Sequence, residues 1–292
     1  MLPEGGYALA TTRVPARDAA PAAPALERGR GVAEIAFARA SGGVTSLIHL
    51  YQEAPCRVLF PRPDPGDPPL AAVATTSGGL AGGDTIRIAI ALERGAAATI
   101  TTPAAEKIYR SLGPDTSVAV AVRLAAEAYA EWLPQETILF DGARLVRRLR
   151  LDLAPASRLL ACESLVFGRA ARGERLTRGR LFDAWSVHRD GRLLWADALA
   201  LDGDIRARLD NPHAFAGAAA LASVLYVGPE AARLLATARA LADGAASLIG
   251  GVLLARFLGA EAAAVRSAVA RCLCGLRRAL GRRAGLPRLW NL

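Results

Sequence analysis

Five carboxylates stand in otherwise apolar stretches of this chain of 292 residues. Asp84 directly follows a glycine run, Glu136 lies in Trp132-Leu133-Pro134-Gln135-Glu136-Thr137, and Asp141 lies in Phe140-Asp141-Gly142-Ala143. Glu163 and Glu174 flank Phe167-Gly168-Arg169. A carboxylate in such surroundings must be paired, hydrated or bound to a cation. Arg144, Arg169 and Arg172 are near enough in sequence to neutralise them, so structural ion pairs and a cation site are both open readings. Lys107 is the only lysine among 36 basic residues. A compact ammonium and a planar guanidinium are not interchangeable at a tight site, although survival of one lysine by chance is the plain alternative.

Other chemistries lack their residues. His49, His188 and His213 are dispersed and no G-x-S-x-G elbow is present, which leaves neither a nucleophilic triad nor a zinc centre. A hydrolase would need an unforeseen carboxylate pair in a deep cleft. Cys56, Cys162, Cys272 and Cys274 contain no C-x-x-C pair, which fits a reducing compartment. Cys272 and Cys274 read as small buried residues on a helix. The run Ser77-Gly78-Gly79-Leu80-Ala81-Gly82-Gly83-Asp84 invites a phosphate-loop reading and fails it: no Gly-Lys-Ser/Thr follows, and the next segment alternates like a strand. Gly78, Gly79, Gly82 and Gly83 are better explained by a bend needing positive φ or close backbone approach. No catalytic centre and no tightly bound cofactor emerge, and the chain is read as non-enzymatic.

The elements that must carry these residues are strands. From Gly31 to about Ala200 apolar residues recur with a period of two: Ile86, Ile88, Ile90 and Leu92 alternate with Arg87, Ala89 and Ala91, and Val118 to Leu124 and Leu149 to Leu153 behave likewise. Turn signals separate them, and Asp190-Gly191 predicts a tight hairpin. Without helical segments between the strands, the pattern predicts a mainly β fold, a large coiled or antiparallel architecture rather than a βαβ sheet. Pro229–Ala242 and Glu261–Leu280 read as helices, the second ended by Gly281, so a mainly helical part is expected over about 212–284. Residues 1–30 read as a disordered leader and 31–292 as one domain. No internal repeat is visible.

Composition narrows the class. The chain is 52% hydrophobic and 22% charged, which suits a folded globular protein. The longest apolar run, Gly244–Ala255, is too short to span a bilayer, which takes about 20 residues. With no secretory signal either, the expectation is a soluble cytoplasmic protein with no membrane role. The net charge of +9 is concentrated at the end: after Glu261 there are seven arginines and no acid. Arg266, Arg271, Arg277, Arg278, Arg282 and Arg283 therefore suggest a docking surface. No aromatic residues interleave with them, so nucleic acid is not the expected partner.

Four segments in order carry a specific resemblance: Thr75–Asp84, Thr101–Tyr109, Glu131–Ile138 and Glu163–Arg169. Together they resemble the urease accessory protein family UreD, also called UreH, from about Gly31 to Trp290. The resemblance implies a maturation factor with a helically coiled β fold that binds apo-urease and the accessory protein UreF. UreF in turn recruits the GTPase UreG, and the assembly supports nickel insertion. It also gives the carboxylates a role: oxygen ligands hold a divalent ion loosely enough to pass it on, whereas a closed His/Cys cage would trap it. Asp84, Glu136, Asp141, Glu163 and Glu174 become candidates for a transient nickel path, and the arginine-rich helix a dock for UreF or urease. The rival reading is a β-rich binding module whose arginine tail contacts nucleic acid or an anionic surface.

Overall fold

The computed structural model describes residues 27–282 and 285–291, so nearly all of the expected leader lies outside the described residues. The strands begin β1 (Arg30–Arg39), β2 (Thr45–Glu53), β3 (Cys56–Leu59), β4 (Leu70–Thr75), β5 (Thr85–Leu92) and β6 (Ala97–Thr101). Next come β7 (Glu106–Ile108), β8 (Thr116–Leu124), β9 (Tyr129–Leu133), β10 (Thr137–Leu139), β11 (Arg144–Leu153) and β12 (Arg158–Arg169). The chain continues with β13 (Glu174–Arg175), β14 (Arg178–Arg189), β15 (Arg192–Asp204), α1 (Ile205–Asp210) and β16 (Ala220–Val227). It ends with α2 (Ala231–Leu241), β17 (Ala246–Ile249), β18 (Val252–Gly259) and α3 (Ala262–Ala279).

Two sheets face each other. One runs β15-β14-β11-β8-β5-β1-β2; the other runs β17-β18-β16-β12-β9-β6-β4-β3, with β7, β10 and β13 off this path. The chain passes from one sheet to the other and back, so β5, β8, β11 and β14 stack in parallel in the first while β4, β6, β9 and β12 do so in the second. This is the coiled form of the β expectation, and antiparallel pairs sit towards the ends of the coil, as β1–β2, β14–β15 and β16–β18. Parallel neighbours need a long crossover, usually a helix. Here a strand of the opposite sheet serves instead.

The coil repeats in space though no repeat shows in sequence. Thr85, Ser117, Val146 and Phe182 are successive in-register partners, and their unequal separations conceal the period. Inward residues form one core between the sheets, including Ile88, Val120, Leu149 and Val187. A second core lies on the other side of the β12/β16/β18 sheet, where Leu160, Val224 and Leu253 pack under Leu234 of α2 and Val269 and Leu273 of α3.

The two predicted helices form almost as read, α3 ending at a left-handed Gly281. The mainly helical part expected over about 212–284 is corrected: β16, β17 and β18 are interleaved with the helices. The physical reason is that β16 and β18 lie between two cores and are apolar almost throughout, and periodicity cannot tell such a strand from a buried helix. The apolar run Gly244–Ala255 becomes the β17–β18 hairpin, turning at Gly250-Gly251 with both φ positive. At the β14–β15 hairpin Asp190 and Gly191 likewise both have positive φ. Among the described residues no helix is long and apolar enough to cross a membrane.

Candidate functional site

The four segments singled out in the sequence converge. Leu80, Ile108, Leu139 and Phe167 form a continuous ladder of parallel bridges across the glycine run, β7, β10 and β12. The glycines permit this approach. A Cβ on Gly79 would lie 2.7 Å from the Tyr109 ring, and one on Gly82 would lie 2.0 Å from Ser111 Oγ. Tyr109 donates its hydroxyl to the Gly78 carbonyl at 2.8 Å, which ties the first segment to the second. The run is thus a packing device rather than a phosphate cradle. Lys107, in the middle of β7, is exposed while its carbonyl accepts from Leu80 N.

Behind the ladder lies a cavity of about 70 Å³ between the sheets. Each of the four segments contributes to its lining: Thr75 and Leu80, then Thr102, Glu106 and Ile108, then Trp132, Gln135 and Thr137, then Glu163. Arg147 lines it from the facing sheet. The space suffices for a few water molecules.

Charge in the cavity is arranged around Arg147. Its Nε and Nη2 donate to the two oxygens of Asp183 at 2.9 and 2.8 Å, and Nη1 donates to Thr137 Oγ1 at 3.0 Å. Glu163 Oε2 lies 2.6 Å from Nη2 but has no well-directed hydrogen bond, and Trp132 Nε1 is also buried without a partner. One guanidinium cannot fully neutralise two buried carboxylates. Burial therefore pushes Glu163 up to about 8, with the nearby Asp183 charge adding to the rise and Arg147 opposing it. Burial thus favours the protonated form of Glu163. Glu106, which sequence reasoning missed, is also raised by burial, and its hydrogen bond from Thr75 Oγ1 opposes that rise.

Gln135 lines both this cavity and an outer groove bounded by Pro103, Glu136, Ile138 and Arg266. Its Oε1 accepts from Arg266 Nη1 at 2.6 Å, and its Nε2 donates to the Leu289 carbonyl at 2.8 Å. Arg266 also pairs with Glu136 and donates to the Trp290 carbonyl at 2.7 Å. Gln135 therefore borders both the cavity that holds Glu163 and the groove that holds Glu136.

The other three carboxylates are elsewhere. Asp84 accepts from Gly29 N at 2.8 Å and Ala81 N at 2.7 Å, locking the glycine bend. Asp141 accepts from Thr177 N at 2.8 Å and Thr177 Oγ1 at 2.7 Å, and also from Arg178 N. Burial works against the Asp141 charge, yet these bonds hold its carboxyl below the usual range. Glu174 pairs with Arg169, whose hydrogen bond lowers it. These three are stabilised where they stand by groups that leave little for a cation. Among the described residues no cluster of three or more His, Cys, Asp or Glu residues could hold a metal. Burial raises the Cys272 thiol to about 12 and Cys56 to about 11, so neither offers a thiolate at neutral pH.

A family model for UreD urease accessory protein matches residues 29–291, which takes in the cavity and all four segments. The chain belongs to the UreD family. It is 44% identical over 260 residues to the urease accessory protein UreD of Magnetococcus marinus, covering 86% of this chain and 90% of that one. With the UreD of a Methylobacterium species it shares 40% identity over 281 residues, 93% and 98% of the two chains. With that of Rhodopseudomonas palustris it shares 44% over 258 residues, 86% and 90%. These relatives carry the name of accessory proteins rather than of enzymes.

In this UreD-family chain the arginines of the closing helix have divided duties. Arg277 is buried, and its Nε and Nη2 donate to Glu131 Oε1 and Asp67 Oδ1, each at 2.8 Å. Glu131 is itself fully buried and also accepts from Thr99 and Tyr129. Arg282 stacks over Tyr129 at 4.0 Å. Of the set expected to form a docking surface, Arg266 and Arg277 pair with Glu136 and with Glu131 and Asp67, so that the helix neutralises the acids it covers. Arg271 and Arg278 remain exposed, and Arg283 lies outside the described residues.

Proposed function

We propose that this protein is a urease maturation factor, a non-enzymatic scaffold that binds apo-urease and UreF, brings the GTPase UreG to the complex through UreF, and lets nickel pass through the space between its sheets. The observation that supports the reading is the cavity to which all four family-like segments contribute, in a chain whose family match runs over residues 29–291. Nickel is cargo here. Glu163 and Glu106, with Thr75, Thr137 and Gln135, supply scattered oxygen atoms in the cavity, and Glu136 supplies more in the groove that Gln135 also lines. Paired or isolated carboxylates with neutral oxygens bind a divalent ion weakly enough to release it, which a conduit requires and a storage site does not. A proton held on Glu163 leaves as the cation arrives, so passage is coupled to proton release.

The test is reconstitution from apo-urease, UreF, UreG, GTP and nickel with the doubly substituted Glu106→Gln/Glu163→Gln chain. Nickel loading of urease should fall by about tenfold or more while the complex, followed by gel filtration, still assembles. Undiminished loading in an intact complex would show that the ion takes another route.

A further inference from the structure

The two sheets are covered unequally. The outer face of the β12/β16/β18 sheet lies under α2 and α3. The outer face of the β1/β5/β8/β11/β14 sheet has no element over it among the described residues. Its outward positions at the centre are alanines in register: Ala89 pairs with Ala121, and Ala119 lies between Arg87 and Arg148. All five of these are exposed, as is Arg123 beside Ala91. With adjacent strands about 4.8 Å apart, Arg87 and Arg148 stand about 10 Å from one another across a floor of methyl groups.

The charge on this floor is unbalanced. No ion pair engages Arg87, Arg123 or Arg148 among the described residues, and Arg148 rests over the Phe182 ring at 5.2 Å. Of the acids on the face, Asp152 accepts from Arg150 at 2.8 and 2.9 Å, whereas Glu34, 3.5 Å from His49, and Glu53, which accepts from the Tyr51 hydroxyl at 3.4 Å, lie on its β1–β2 side. An exposed face of single-methyl side chains offers little hydrophobic gain by itself but lets a partner's backbone come close. Free guanidinium groups around it favour a partner bearing carboxylates.

We propose that this alanine-floored sheet face is the docking surface for an acidic, flat protein surface, and that apo-urease supplies it. The identity of the partner rests on the maturation reading above; the location and chemistry of the face do not. Nucleic acid is disfavoured because the arginines surround a flat floor without a protruding helix to enter a groove, and the Phe182 ring is already covered by Arg148. The long-range attraction should act mainly on the association rate and weaken with salt.

Purified wild-type chain, in complex with UreF, is titrated with apo-urease at low and high salt beside three variants. Arg87→Glu/Arg123→Glu/Arg148→Glu removes the charge match, Ala121→Trp raises the floor without altering charge, and Arg271→Glu/Arg278→Glu reverses the exposed charges of α3. The first two should weaken binding about tenfold or more with unchanged thermal stability, and the α3 variant should bind like wild type. Equal binding by all, or loss confined to the α3 variant, would overturn the assignment of the face while leaving the maturation reading in place. Failure of the wild type to bind apo-urease would overturn both. Salt-sensitive binding of duplex DNA or of anionic vesicles through Arg87, Arg123 and Arg148, with apo-urease affinity untouched, would also reject the assignment.

Discussion

Glu163 is the residue at which cavity, charge and pH meet. Its carboxyl is pushed up to about 8 chiefly by burial, against a usual value near 4.5. Between those two values the folded state holds a proton that the unfolded chain has released. The stabilisation linked to that proton is complete below the unfolded value and disappears as pH rises through the folded one. Glu163→Gln, which keeps the shape and removes the titration, should therefore flatten the decline of stability from about pH 5 to about pH 8.5. Urea midpoints across that interval measure it, and a variant with the wild-type slope would place the titration on another group. The apolar neighbours of Glu163 made it visible in the sequence. Glu106 was not, because Lys107 beside it gives the look of an ordinary surface pair; only the inward turn of the short strand β7 sends one into the cavity lining and the other to solvent.

At the scale of elements, α3 is attached by more than its apolar stripe. Val265, Val269, Leu273 and Leu276 bury that stripe, as their spacing foretells. Spacing could not foretell that Arg277, in the same last turns, points inward to Glu131 and Asp67. An arginine reads as a surface residue until the sheet beneath supplies a buried acid, and Glu131 comes from a strand far away in sequence. Removing one partner of such a pair leaves the other charged and desolvated. Arg277→Met should cost about 3–5 kcal/mol, whereas reversal of the exposed Arg271 should stay within about 0.5 kcal/mol. Equilibrium denaturation separates the two, and equal effects would mean that the Arg277 pair contributes nothing beyond packing. Strand identity was legible where one face meets water, as at β5 and β8, and lost at β16 and β18, where both faces are covered.

For the whole molecule, the winding decides how stability is distributed. Each coil contacts only the coils beside it, so a middle strand is held on two sides and an end strand on one. β8 has β5 and β11 as in-register neighbours over nearly its full length and buries Val120, Val122 and Leu124. Among the described residues β2 pairs only with β1, and it leaves Leu47, Ile48, Leu50 and Tyr51 at least 38% exposed. Periodicity foresees the winding only as one of two β arrangements, because alternation reports which face a side chain takes and says nothing of which strand lies next; the coil alone is what the family resemblance implies. The parallel register is fixed instead by long-range contacts such as Thr85 with Ser117 and Val146 with Phe182. If neighbours set the protection, amide exchange under native conditions should be slowest in β5, β8 and β11 and fastest in β2 and β17. Local opening of the end strands should occur at a small fraction of the global unfolding free energy. A single uniform opening free energy from β2 to β14 would instead mean that the coils open as one unit, bound by the continuous core between the sheets more tightly than by their order in the stack.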